Sequence, residues 1–404
     1  MINPHYAKLQ DSYLFSTISH KVASFQKLNP KAQLLHLGIG DVTLPLSYDV
    51  LDAMHQAIEE LRYSESFHGY GEEQGYLFLR EAICDYYQKK AVSLTPQEVF
   101  ISDGAKSDIG NLLDLFDTDA TVLLPNPGYP VYEDTNIMAG RHILYAEATI
   151  EQQFLPMPDF SIHVDIIYLC SPSNPTGAIY TAEQLQEWVN YAIYHHAILL
   201  FDAAYEAFVT DSHYPTSIYQ IPNAKECAIE ICSLSKTAGF TGIRCGYTIV
   251  PSSLMREETS LHHMWLRRQT TKFNGVSYIT QRGAQAVFTQ TAQVQIKKTI
   301  SYYMQNAHEI TQTLDALHLT YTGGIHSPYI WLACPPQVSS WQMFDALLHA
   351  CHIVTTPGLG FGSNGEGYVR LSAFANQQDV IEAMKRLQVA FQNGSLIQAL
   401  TEKK

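Results

Sequence analysis

Ser233-Leu-Ser-Lys236 decides how this chain is read, because fragments on either side of it supply the groups that would surround its lysine. Upstream lie Gly104-Ala-Lys106, Ser171-Pro-Ser-Asn-Pro-Thr-Gly177 and Asp202-Ala-Ala-Tyr205, and downstream lies Gly242-Ile-Arg-Cys-Gly246. Serines beside a lysine occur in many proteins, and none of these fragments is specific alone. Their order and spacing together are the signal. Around them, short β-rich runs alternate with longer helical patterns. Strands are expected at residues 99–102, 121–125, 143–146, 165–171, 197–202, 228–233 and 246–250. Helices are expected at 105–116, 129–139 and 182–195, the last opened by a capping box of Thr181 and Gln184. Such alternation predicts an α/β fold, a mainly parallel sheet with helices on both faces.

That architecture would gather the fragments. Asn174 follows one expected strand, Asp202 ends the next, and Lys236 lies just past a third. Open α/β sheets bind ligands beyond the carboxyl ends of their strands, so these side chains are expected to converge. Gly104 and Ala105 follow the first strand and open a helix, whose free N–H groups suit a phosphate. From about Tyr278 the pattern changes to long helical runs, then strands at 329–333 and 368–372 and a helix from Gln377. The expected division is a large domain at 48–285 and a smaller α+β domain formed by 1–47 and 286–404. The segment before Ser47 reads as mixed turns packing on the small domain.

Bulk properties exclude other classes. With 404 residues, 46% hydrophobic and 16% charged, the chain is an ordinary globular protein able to bury a large core. A net charge of −14 argues against a nucleic-acid surface, which needs a basic stripe. The seven cysteines are scattered without a Cys-x-x-Cys, as expected of free thiols in a reducing cytoplasm. Met1 to Phe15 shows no secretory pattern, and the longest apolar runs are strand-sized, so neither a signal peptide nor a membrane span is expected. The pairs His195-His196 and His262-His263 have no third ligand at metal-binding spacing, so no metal is expected.

The gathered groups are those a pyridoxal phosphate (PLP) enzyme needs. Lys236 is the candidate Schiff-base lysine and proton carrier. Asp202 would pair with the pyridinium N–H, since a carboxylate buried after an apolar strand needs a partner. Asn174 and Tyr205 would hydrogen-bond the ring oxygen. Backbone N–H groups of Ala105 and Lys106, the hydroxyls of Ser233 and Ser235, and Arg244 would form a phosphate cup. Arg370, in Tyr368-Val-Arg-Leu-Ser372, would grip the substrate α-carboxylate as a fork.

At these positions the chain resembles the aspartate-aminotransferase fold (fold type I) of PLP enzymes, and within it the LL-diaminopimelate aminotransferase family. The resemblance runs nearly end to end, through Asp11-Ser-Tyr-Leu-Phe15, Leu37-Gly-Ile-Gly-Asp-Val-Thr43, Gly69-Tyr-Gly-Glu-Glu-Gln-Gly75, Asp103-Gly-Ala-Lys-Ser-Asp108 and Lys272-Phe-Asn-Gly-Val-Ser-Tyr278. It implies that Tyr129 stacks on the cofactor ring and joins Lys236 and Asp202 in catalysis. It implies that Tyr70 reaches the phosphate from a partner subunit, giving a homodimer with composite sites. Tyr13, Gly40, Glu73, Lys106 and Asn274 resemble substrate-side positions, to which Tyr129, Asn174 and Arg370 also belong; Asn274 counts for the cofactor as well. The implied reaction moves an amino group between LL-2,6-diaminopimelate and 2-oxoglutarate, with glutamate and tetrahydrodipicolinate on the other side. Another amino-acid substrate, a PLP-dependent C–S lyase and a non-catalytic regulator of the same fold remain alternatives, the last without a basic helix-turn-helix region ahead of the fold.

Overall fold

A computed structural model describes residues 2–9 and 14–401. After a two-residue strand β1 (Leu35–His36) come the strands of the main sheet: β2 (Val99–Ser102), β3 (Thr121–Asn126), β4 (His142–Glu147), β5 (Ile166–Cys170), β6 (Ile198–Asp202), β7 (Ala228–Ser233) and β8 (Gly246–Ile249). Their spatial order is β2-β8-β7-β6-β5-β3-β4. All neighbours are parallel except β8, which runs antiparallel to both β7 and β2. Every residue of β2, β5, β6, β7 and β8 is buried. Strands covered on both faces read as continuous apolar runs, such as Ile198-Leu-Leu-Phe201, and not as alternating ones.

Each strand expected from the sequence is present, with ends shifted by at most a residue. The capping box also forms: Gln184 N–H donates to Thr181 Oγ1 at 3.3 Å, and Thr181 N–H to Gln184 Oε1 at 2.9 Å. The helix expected at 105–116 is shorter. It runs Ala105–Asn111 and tightens into a 3-10 turn at Leu112–Leu115. The segment before Ser47 is corrected more strongly, since it holds a helix, Leu14–Leu28. Its apolar residues Leu14, Ile18, Val22 and Phe25 recur at helical spacing and pack on Phe344, Leu348 and Val354. Its serines, threonine and histidine obscure that stripe, because such residues are weak helix formers.

A hairpin of β9 (Met255–Arg256) and β10 (Thr259–Ser260) leads to helices Leu261–Lys272, Tyr278–Ala286 and Gln290–Ala316. The rest of the chain builds a second, antiparallel sheet from β11 (Tyr321–Gly323), β12 (Tyr329–Ala333), β14 (Thr356–Pro357) and β15 (Tyr368–Ser372), in the order β11-β12-β15-β14. The short β13 (Ile353–Val354) pairs parallel with β1. The long helix Gln290–Ala316 serves two cores. Ile296, Ile300 and Tyr303 pack into the core of the main sheet, and Ala307, Ile310 and Leu314 into that of the second. Among the described residues no helix is long and apolar enough to cross a membrane.

Candidate active site

The carboxyl ends of β2, β5, β6 and β7 fall on one edge of the main sheet. Cys170 lies beside Asp202, Asp202 beside Ile231, and both Ser233 and Ser102 beside Gly246, where antiparallel β8 begins. A cavity of about 340 Å³ opens at this edge. Lys236, Asp202, Tyr205, Asn174 and Tyr129 line it, together with Ala105, Lys106, Ser233, Ser235 and Arg244. Gly40 and Arg370 reach it from the other side. Volumes of this size hold small molecules.

Asp202 is buried at the end of β6. Its carboxylate accepts the Tyr132 hydroxyl at 2.6 Å and the Ala204 N–H at 3.1 Å. Burial pushes its pKa up, and these two bonds oppose the rise. Lys236 sits in the short helix Leu234–Ala238, started by Ser233, whose hydroxyl accepts the Ser235 N–H at 3.2 Å. Burial lowers the Lys236 ammonium to about 8; Asp41 opposes the shift, while Arg370 and Arg244 add to it. An amine displaced this way is largely neutral, hence nucleophilic, a little above physiological pH.

The far end of the cavity is cationic. Arg244 donates to Ser235 Oγ and to the Thr241 carbonyl, each at 3.3 Å. Two glycines allow the approach: a Cβ on Gly104 would lie 2.5 Å from Arg244 Nη2, and one on Gly246 would lie 2.9 Å from the Gly104 Cα. Gly104 also has φ +132°, open to glycine alone at no cost. Main-chain N–H groups, two hydroxyls and a guanidinium crowded together are a donor set for a phosphate.

On the opposite wall Arg370 is fully buried on β15. It donates to Asn174 Oδ1 at 2.6 Å and to the Gly38 carbonyl at 2.8 Å, and its guanidinium lies 4.3 Å from the Tyr329 ring centre. The first bond orients Asn174 so that its amide N–H₂ is the end left to donate elsewhere. Tyr205 and Tyr329 share a hydrogen bond of 2.8 Å between hydroxyls. The Gly38–Thr43 stretch is pinned over the cavity by Thr356 Oγ1, which donates to the Gly38 carbonyl at 2.7 Å, and by Thr43 and Leu44 N–H, each donating to the Tyr303 hydroxyl at 2.8 Å.

Four expected residues are not in this cluster. Tyr70 is 92% exposed, and Glu73 and Asn274 do not line the cavity. Glu73 and Asn274 belong to adjoining loops, since a Cβ on Gly275 would lie 3.9 Å from the Glu73 Cα. Tyr13 lies outside the described residues. Conversely, the cavity includes Asp41 and Tyr329, and Tyr132 supports it; sequence reasoning assigned no role to these three. Asp41 stands in a stretch already notable, next to Gly40. Nothing separates Tyr132 or Tyr329 from the other tyrosines among 25 until the strands are assembled.

Comparison with known proteins identifies the family. Residues 32–387 match the family described as aminotransferase class I and II. The chain is 49% identical to an LL-diaminopimelate aminotransferase of Parabacteroides distasonis over 404 residues, covering 96% of this chain and 98% of the relative. The solved L,L-diaminopimelate aminotransferase of Chlamydomonas reinhardtii is similar with a TM-score of 0.91 and 40% identity, covering 97% of this chain and 98% of that one. An aspartate aminotransferase of Thermus thermophilus, 20% identical, is similar in fold, with a TM-score of 0.83 over 96% of this chain and 98% of its own. The chain belongs to the aminotransferase class I and II family, in the branch of the LL-diaminopimelate aminotransferases.

Proposed function

We propose that the protein transfers an amino group from LL-2,6-diaminopimelate to 2-oxoglutarate, giving glutamate and a product that cyclises to tetrahydrodipicolinate. The reverse direction would serve lysine and cell-wall precursor synthesis. The observation that carries this reading is the near-full-length identity with LL-diaminopimelate aminotransferases. PLP is the cofactor, and when bound it supplies an electron sink for the bonds at the substrate Cα. The residues present fit it. Lys236, whose pKa burial lowers to about 8, would supply the amine for the aldehyde and the base at the substrate Cα. Asp202 would hold the pyridinium N–H, with Tyr132 orienting the carboxylate. Asn174 and Tyr205 would donate to the ring oxygen, and Tyr129 would pack against the ring. Ser233, Ser235, Arg244 and the N–H groups of Ala105 and Lys106 would hold the phosphate. Arg370, already braced by Asn174, Gly38 and Tyr329, takes the α-carboxylate beside Gly40, and the Lys106 ammonium serves the substrate side.

We further propose a homodimer in which Tyr70 of one subunit, with Glu73 and Asn274 on neighbouring loops, completes the partner's site. The exposure of Tyr70 and its absence from the lining of the chain's own cavity support this. Seven free cysteines support a cytoplasmic location. Two separate cores support the division into 48–285 and 1–47 with 286–404, the long helix Gln290–Ala316 bridging the two. The functional test is a substrate panel on the purified holoenzyme, scored for glutamate formation with LL-diaminopimelate, meso-diaminopimelate, aspartate and aromatic amino acids. LL-diaminopimelate should lead; preference for aspartate or an aromatic substrate would overturn the assignment.

A further inference from the structure

Asp108 is a carboxyl group with no role in the site so far, yet it is 1% exposed and lies one turn into the helix that begins at the phosphate end of the cavity. Both hydroxyls that reach it converge on one oxygen. Ser102 Oγ on β2 and Thr248 Oγ1 on β8 each donate to Asp108 Oδ2 at 2.6 Å. The other oxygen is buried without a hydrogen-bond partner among the described residues. A bare carboxylate in that setting is costly, whereas a neutral acid loses far less by burial.

The bonds link the two halves of the cup. One half is the β7 side, with Ser233, Ser235 and Arg244. The other is the main chain from Gly104 to Lys106, beyond β2. Strand β8 runs between them, with Gly246 beside Ser102 on one flank and Ser233 on the other. Ser102 Oγ also accepts the Gly104 N–H at 3.3 Å, and Asp108 N–H donates to the Gly104 carbonyl at 3.3 Å. Asp108 thus fastens Gly104, which packs against Arg244, to both β2 and β8.

We propose that Asp108 is a positioning residue for the cofactor phosphate, acting as a buried neutral acid that locks the Gly104–Lys106 main chain against the Arg244 side of the cup. The inference rests on the PLP reading above. A neutral form is needed because an ionised carboxylate behind the cup would repel a phosphate dianion. Burial pushes the Asp108 pKa up to about 7; the Ser102 and Thr248 bonds and the Arg268 charge act downward, and the Asp103 charge acts upward. Arg244, the Cys245 thiol, and Lys106 and Lys236 in the cavity lining are further titratable groups on this side. A bound phosphate adds to the upward push.

The test titrates the full-length chain, stripped of cofactor, with PLP and with pyridoxal, which lacks the phosphate, following absorbance. Asp108→Ala should weaken PLP by roughly ten- to a hundred-fold, the loss expected for buried hydrogen bonds left unmade. Pyridoxal should change less than about threefold. Asp108→Asn, neutral and isosteric, should stay within about threefold of wild type for both ligands. Thr248→Val, which removes one tie and keeps the strand, should weaken PLP by about threefold to tenfold and covers the case in which Asp108→Ala does not fold. Equal losses for PLP and pyridoxal, or no loss in either alanine or valine variant, would overturn the proposal. Asparagine as poor as alanine would also overturn it, because neutrality would then not be what matters. Failure of wild type to bind PLP through Lys236, checked by borohydride reduction and peptide mapping, would instead sink the cofactor reading itself.

Discussion

The two ends of this site are built differently. At the cofactor end a single chain brings Lys236, Asp202, Asn174, Tyr205, Ser233, Ser235 and Arg244 to one cavity, and most of them sit at or just past the end of a buried strand. Strand ends are fixed by the sheet register, so residues far apart in sequence, such as Asn174, Asp202 and Lys236, meet without further help. Tyr70, expected at the phosphate, and Glu73 and Asn274, expected on the substrate side, stand on loops that do not line the chain's own cavity. The difference teaches that strand ends gather a site within one chain, whereas the loop residues await the partner subunit proposed above.

The largest effect should come from the cofactor end. Lys236→Ala removes both the amine that engages the aldehyde and the proton carrier, so turnover should fall by at least about 10⁴-fold while the fold survives. Circular dichroism and a turnover assay check this, and a well-folded variant with substantial turnover would break the assignment of Lys236. A smaller, selective effect is expected at the other end. Diaminopimelate carries an ammonium and a carboxylate at each end, and Glu73 is the proposed contact for the distal ammonium. Glu73→Gln should cost diaminopimelate on the order of 1.5–3 kcal/mol, roughly ten- to a hundred-fold, and 2-oxoglutarate less. Half-reactions followed by cofactor absorbance separate the two, and an equal loss for both would place Glu73 in the fold or the cofactor end.

Tyr132→Phe should cost about 1 kcal/mol, roughly fivefold in kcat, because the Asp202 carboxylate loses one of its two hydrogen-bond donors and its pKa rises further. It should affect both half-reactions alike, since Asp202 serves the cofactor and not the distal substrate; selectivity for diaminopimelate would contradict that. The mildest readout is a pH profile. The folded-state pKa of Lys236 is depressed to about 8 from 10.5, so the folded chain binds fewer protons than the unfolded chain between those values. The rate of PLP capture by the cofactor-free chain should therefore rise through about pH 8 and level off, and stability should gain with pH across the same window as this one group's contribution. A capture rate still climbing steeply at pH 10 would show that the amine is not desolvated.

Much of the cofactor end was legible in the sequence for the same reason that it assembles so simply. Apolar runs such as Ile198-Leu-Leu-Phe201 mark buried strands, and polar residues at their ends mark the site. Arg370 was legible as an arginine inside a strand, though its bond to Asn174 was not, because that contact joins β15 to the loop after β5, 196 residues away along the chain. Tyr132 and Tyr329 were illegible: a phenol reads as core packing until its hydroxyl is seen to have a partner. Helix Leu14–Leu28 was missed because its polar residues favour other conformations, and its stability comes from packing on Phe344 and Leu348. Asp108 was visible within the Gly104-Ala-Lys-Ser-Asp108 stretch, but its two hydroxyl partners come from strands that only the folded sheet makes neighbours.

The contrast between the ends is tested most directly by mixing subunits. A Tyr70→Phe chain and a Lys236→Ala chain are each impaired at every site they form alone. In a hybrid dimer with composite sites, both defects fall in one site, and the other combines an intact Lys236 with an intact Tyr70. Co-folded mixtures should recover activity above either parent, in proportion to the hybrid fraction measured by differential tagging. Hybrids that form and show no recovery would contradict the account, because Tyr70 would then act within its own chain or not at all.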